Sequence, residues 1–159
     1  MKKVSWPKLI FAITLCLAAG VVGSIFTYSS IPTWYTFLIK PSFNPPSWLF
    51  GPVWTILYIL MGISFYLILL KGLKNKEVRF AVNLFVWQLI ANSLWSIIFF
   101  GIKNVQLALI EIIVLLILVL ATIIKFYKIN KVAAYLLVPY FLWGSFATFL
   151  TYNIWILNK

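Results

Sequence analysis

The chain has 159 residues, 64% of them hydrophobic and 9% charged, with a formal net charge of +11. Ordinary globular chains run roughly 45–50% apolar and about 25% charged, so this composition excludes a water-soluble core and predicts a single integral membrane domain, 1–159. The basic residues fall between apolar runs and form no stripe, which excludes nucleic acid as a partner and gives the charge the task of orienting the chain in a bilayer.

Five nearly uncharged runs, about 9–28, 52–70, 80–102, 104–124 and 132–156, are each long enough for the roughly 20-residue helix that crosses a bilayer. The expected fold is an all-α bundle of five transmembrane helices. The first run follows Met-Lys-Lys, as a secretory signal would, but it is longer than a signal core and ends in no A-x-A pattern. It reads as a helix. Small residues recur on it four apart, at Ala12, Cys16, Gly20 and Ser24, with Ala19, Gly23 and Thr27 on the adjoining row. Such rows let helices approach closely in lipid, here within the bundle or between two copies. Cys16 is the only cysteine and the chain has no histidine, so neither a metal nor a cofactor is expected.

The connection 29–51 between the first two runs is unlike the rest. With the start of the next run it collects Pro41, Pro45, Pro46, Gly51 and Pro52 among Trp34, Trp48 and Trp54, and Lys40 is its only charge. Proline fixes φ and pushes its predecessor toward extended backbone, so 40–47 cannot be one continuous helix. A rigid aromatic lid against the mouth of the bundle is predicted, with Pro52 in the first turn of the second helix.

The second helix carries Trp54, Tyr58, Met61 and Phe65 in one stripe, which suits a core, a lipid face or a pocket wall. On the third, Gln88, Asn92 and Ser96 are four apart and share a side with Trp95. Amides facing lipid are costly, so this face turns inward, toward a ligand or toward another helix. The fourth holds Glu111, either a functional acid or a protonated one bonded to a neighbouring helix. The fifth contains Pro139, which frees the carbonyl of Tyr135 and bends the helix. Beyond it Tyr140, Trp143, Ala147 and Leu150 share a face where Ala147 leaves room, and Gly144 and Thr148 mark a second close-packing row.

Lysine and arginine count ten on one side (Lys2, Lys3, Lys8, Lys71, Lys74, Lys76, Arg79, Lys125, Lys128, Lys131) and three on the other (Lys40, Lys103, Lys159). The positive-inside rule then puts the N-terminus in the cytoplasm and the C-terminus outside. The chain shows no phosphate loop, Ser-His-Asp set, carboxylate pair or metal-ligand cluster, so conventional hydrolysis and hydride transfer have nothing to run on. A loose sterol pattern, Leu60–Tyr66–Lys71, falls mid-helix and reads as a chance match.

Several ordered blocks resemble one family. They are WY at 34–35, KP at 40–41, PP at 45–46, Trp48, GPVW at 51–54, LY at 57–58, MG at 61–62, QLIAN at 88–92, Trp95, FFG at 99–101 and PYFLWGSFATFL from Pro139 to Leu150. On these the chain is similar to the translocator proteins, also called tryptophan-rich sensory proteins or peripheral benzodiazepine receptors. The resemblance implies a five-helix membrane bundle, usually a homodimer, with a ligand pocket below the first loop. It also implies binding of porphyrins, above all protoporphyrin IX, with sterols and isoquinoline or benzodiazepine compounds as further ligands. Residues matching pocket positions are Tyr35, Pro45, Trp54, Tyr58, Asn92, Trp95, Ser96, Trp143 and Ala147. In some bacterial members light-dependent porphyrin degradation depends on tryptophans matching Trp54 and Trp143, which makes these two the catalytic candidates.

Two departures stand out. Leu150–Thr151 replaces the family's usual LN, and six residues separate Tyr152 from Lys159, which breaks the sterol pattern expected there. Glu111 stands where relatives commonly carry aspartate. The expected function is a porphyrin receptor or sensor of the plasma membrane, with photo-oxidative degradation as a conceivable activity and tetrapyrrole or sterol transport as the alternative. Lys40 would pair with a porphyrin propionate or reach to the membrane interface.

Overall fold

The computed structural model describes residues 4–159; Lys2 and Lys3, part of the charge asymmetry, lie outside the described residues. Five helices follow in order: α1 (Trp6–Ser30), α2 (Ser47–Leu69), α3 (Lys76–Ser96), α4 (Val105–Ile129) and α5 (Lys131–Leu157). All five are long and apolar enough to cross a membrane, and no strand occurs among the described residues. The protein is an all-α integral membrane bundle. α1 packs on α2 and α3, α4 on α3 and α5, and α2 closes the ring against α5.

Small residues set the seams. A Cβ on Gly62 of α2 would lie 2.6 Å from the backbone Cα of Ile13 in α1, and one on Gly23 would lie 2.9 Å from Ser96 Oγ. The α1 row Ala12–Cys16–Gly20 is therefore a packing face inside the bundle, with Gly20 against the Tyr58 ring. At Ser24 the row turns outward and is exposed. Where lipid removes the hydrophobic drive between helices, hydroxyl-to-carbonyl bonds add to close packing. Ser64 Oγ donates to Ala133 O at 2.7 Å, Ser93 Oγ to Ala19 O at 3.0 Å and Ser30 Oγ to Phe100 O at 2.7 Å. The buried Tyr66 accepts from Ser5 N at 3.1 Å, which ties its hydroxyl to α1.

The predicted lid is shorter than 29–51. α1 continues through a π-turn, Ile31–Tyr35, and only 38–46 are non-helical. Pro32 lies in that π-turn. A wider turn re-registers the ladder around a residue with no N–H, so the proline does not end the helix. α2 likewise begins at Ser47, not at Pro52. Pro46, extended at φ −62° and ψ 141°, is its N-cap, and Pro52 sits inside the helix. Its missing N–H leaves the Trp48 carbonyl without its usual partner.

The other helices outrun their apolar stretches because asparagine caps, not hydropathy, start them. Asn75 accepts from Glu77 N at 2.9 Å, Asn104 from Leu107 N at 2.9 Å and Asn130 from Ala133 N at 3.2 Å. Each satisfies an amide that the first helical turn leaves open.

Candidate functional site

The inward face of α3 meets α2 and α5 in one hydrogen-bonded relay. The Tyr58 hydroxyl donates to Asn92 Oδ1, and Asn92 Nδ2 donates to the Tyr140 hydroxyl oxygen at 3.0 Å. All three residues are buried. Four-residue spacing on α2 lays Trp54 over Tyr58, ring centroids 5.6 Å apart and stacked, while Tyr140 meets Trp54 edge-on at 6.1 Å. Such offset or edge-on aromatic pairs add roughly 0.5–1.5 kcal/mol beyond burial.

These groups wall a cavity. Trp54, Asn92, Trp95 and Tyr140 line it on one side, and Ile112, Leu115, Leu116 and Val119 of α4 line the other, with Gly144 and Ala147 facing the gap. It holds about 10 Å³, room for a single water, whereas pockets for drug-sized ligands run roughly 300–1,000 Å³. The cavity is shut. Trp95, which lines the cavity, has its indole Nε1 buried without an acceptor among the described residues. A buried unpaired donor costs roughly 1–3 kcal/mol, a cost a bound acceptor would relieve.

The remaining expected site residues lie around this cavity and do not line it. Ser96 packs against Gly23 of α1. Tyr35 is buried in a second cluster beside Phe99 and Phe100, and its hydroxyl donates to Asn44 Oδ1 at 2.9 Å. Pro45 contributes its carbonyl, which accepts from Asn44 Nδ2 at 3.0 Å. Trp143 meets Phe50 at 6.1 Å and Phe146 at 5.5 Å, and its indole nitrogen is buried without a partner. Of the two catalytic candidates Trp54 lines the cavity and Trp143 does not: the early start of α2 makes Phe50 helical and seats it against Trp143.

The lid 38–46 is fastened to the first helix and to α5. Lys40 Nζ donates to the carbonyls of Tyr35 (2.7 Å), Leu38 (2.9 Å) and Thr36 (3.3 Å), and lies 4.8 Å over the Tyr35 ring. Its charge caps the C-terminal end of the first helix, where a cation is favourable. At the far end of the chain, Asn158 Oδ1 accepts from Ile39 N at 2.9 Å and Asn158 Nδ2 donates back to Ile39 O at 2.8 Å. Phe43 of the lid stacks on Phe149 of α5 at 5.3 Å. α5 therefore holds the lid down with an amide clasp and an aromatic pair.

Sequence reading placed Tyr140 on the inward face of the fifth helix but not in the site. Its signal was the i, i+3, i+7 row Tyr140–Trp143–Ala147. The α4 wall and the Asn158 clasp gave no such signal. Glu111 is 9% exposed, and its Oε2 is buried with no partner among the described residues. It neither lines the cavity nor makes the interhelical bond that was one of its two expected roles.

The profile of the TspO/MBR family matches residues 12–156. The chain belongs to this family. It is 46% identical to the tryptophan-rich protein TspO of Chlorobaculum tepidum over 150 residues, which covers 94% of this chain and 95% of that one. The corresponding protein of Archaeoglobus fulgidus is 46% identical over 151 residues, 95% of this chain and 97% of its own. The human translocator protein is 39% identical over 136 residues, 84% of this chain and 80% of its own. The matches to these prokaryotic relatives run over nearly the whole length of this TspO/MBR protein.

Proposed function

We propose that this protein is a membrane receptor or sensor for porphyrins, protoporphyrin IX-like tetrapyrroles, which bind between the lid and the Tyr58–Asn92–Tyr140 relay. The observation that carries the reading is the aromatic cavity lined by Trp54, Trp95 and Tyr140, with the buried indole N–H of Trp95 unpartnered. A flat conjugated ring offers faces for the indoles and an acceptor for that N–H. The charge asymmetry supports a plasma-membrane protein with its N-terminus on the cytoplasmic side.

Since the cavity is shut, binding draws on an open minor state in which the lid and Trp54 have moved. The apparent affinity is then the intrinsic one reduced by the open fraction. Porphyrin added to the purified protein in detergent is expected to quench tryptophan fluorescence saturably, with a micromolar dissociation constant, about −8 kcal/mol. Asn158→Ala removes two lid bonds of about 1 kcal/mol each and is expected to tighten apparent binding and speed association. Linear quenching without saturation would remove the receptor reading. Weaker binding by Asn158→Ala would leave the receptor reading intact but remove the closed-lid mechanism.

The same reading extends to light chemistry. An excited porphyrin in the opened cavity would have Trp54 beside it as an electron-rich donor, with Trp143 outside the lining, against Phe50 and Phe146. Under aerobic illumination at matched occupancy, Trp54→Phe is expected to bleach the pigment several-fold more slowly than wild type, and Trp143→Phe less so. Bleaching at the wild-type rate in both variants, with the same products, would reduce the protein to a binder.

A further inference from the structure

A second concavity shares no residue with the cavity above. It is an open groove of about 530 Å³ between the end of α1 with its π-turn and the π-turn Ile97–Ile102 that follows α3. Its walls are graded. Phe26 and Ile97 lie at its deep end, and Thr33 and Lys103 lie roughly 9–10 Å further along their helices, with Ser29 between. Neither carboxylate of the chain lines it.

Lys103 sets the groove apart. Three cations belong to this end of the bundle. Lys40 is spent on the lid carbonyls, and Lys159 lies 5.6 Å over the Trp155 ring. Among the described residues Lys103 alone of the three has no hydrogen-bond, ion-pair or ring partner. It also holds the left-handed conformation, φ 60° and ψ 32°, the one non-glycine residue with positive φ among the described residues. Glycine or asparagine takes that conformation at less cost, so the position keeps a lysine where the backbone does not favour one. The hydroxyl protons beside it are committed. Ser29 donates to Phe26 O and Thr33 to Ser29 O, which leaves oxygen lone pairs facing outward.

We propose that this groove seats one anionic phospholipid, with its phosphate on Lys103 Nζ and an acyl chain along Phe26 and Ile97. A cation and hydroxyl acceptors above apolar walls match a headgroup that carries both a phosphate and hydroxyl donors, as phosphatidylglycerol does. Charge complementarity selects the lipid, and the depth gradient selects its orientation.

The test is native mass spectrometry of the purified full-length protein in mild detergent. Phosphatidylglycerol, diacylglycerol and glycerophosphoglycerol are added in turn to wild type, Lys103→Gln and Lys103→Gly. Wild type is expected to retain phosphatidylglycerol about fivefold better than either variant, the factor expected of one interfacial cation. Diacylglycerol, which lacks the phosphate, is expected to show no dependence on Lys103, and the chain-free headgroup, which lacks the acyl anchor, to be retained by none of the three proteins. Lys103→Gly controls for folding: without lipid it is expected to melt no lower than wild type, since glycine suits the left-handed backbone. Equal phosphatidylglycerol retention by all three proteins would overturn the site. So would diacylglycerol retained as well as phosphatidylglycerol, or a change in the monomer–dimer ratio with lipid retention unaltered, which would make the groove a contact between copies.

Discussion

Gly62→Ala is expected to cost the bundle about 3 kcal/mol, the upper range for overpacking a well-packed interior. The atom that an added Cβ would meet is the Cα of Ile13, 2.6 Å away, with Ile13 N at 3.1 Å. A flexible side chain could swing aside, but a backbone cannot. α1 and α2 would have to separate along their seam, and the Gly20–Tyr58 contact one to two turns away would loosen with them. Gly51 provides the control on the same helix, since a Cβ there would meet nothing within 4 Å. Gly51→Ala is expected to be close to neutral, because alanine's gain of roughly 0.5–1 kcal/mol over glycine in a helix is offset by the contact of its Cβ with the ring of Pro52 next in sequence. Unfolding in mixed detergent–denaturant micelles reads both. Equal stability of the two variants would mean that α1 and α2 are not packed as described.

The second large effect is expected at Asn92. Asn92→Leu keeps the volume but strips the acceptor from Tyr58 and the donor from Tyr140, both buried. Stranding two buried hydroxyls is expected to cost roughly 2–4 kcal/mol. The diagnostic is its reversal. Adding Tyr58→Phe and Tyr140→Phe removes the stranded groups, so the triple variant is expected to regain most of the lost stability. If the triple variant is less stable than Asn92→Leu alone, the tyrosines contribute mainly by contacts other than this relay.

The five helices were legible because each apolar run is long enough to span a bilayer, and the inward face of α3 was legible because an amide row cannot face lipid. Helix ends were not. Apolar runs stop at the first charge, whereas Asn75, Asn104 and Asn130 cap helices that go on to include Lys76, Lys125, Lys128 and Lys131. Proline was over-read in the same way. Pro32 is absorbed by a π-turn and Pro52 by the second turn of α2, so the lid shrinks to 38–46. The Asn158–Ile39 clasp joins positions 119 apart and leaves no periodic trace in the sequence. Lys40 shows the limit of reading a charge locally: its partners are carbonyls exposed by a helix end that sequence reading had placed elsewhere.

The account turns on the cavity lined by Trp54, Trp95 and Tyr140 being where a porphyrin binds. The most direct measurement is the dissociation constant of protoporphyrin IX for wild type, Ala147→Phe and the Trp143→Phe, Ala147→Phe pair, with each protein's melting midpoint recorded beside it. A phenyl ring at 147 would project into the gap lined by Trp54, Trp95 and Tyr140, which has no spare volume for it. Wild type is expected to saturate in the micromolar range, and both variants to bind on the order of a hundredfold more weakly while still folded, a difference of about 2.7 kcal/mol. Folded variants that bind protoporphyrin IX as tightly as wild type would show that the porphyrin sits elsewhere on the protein.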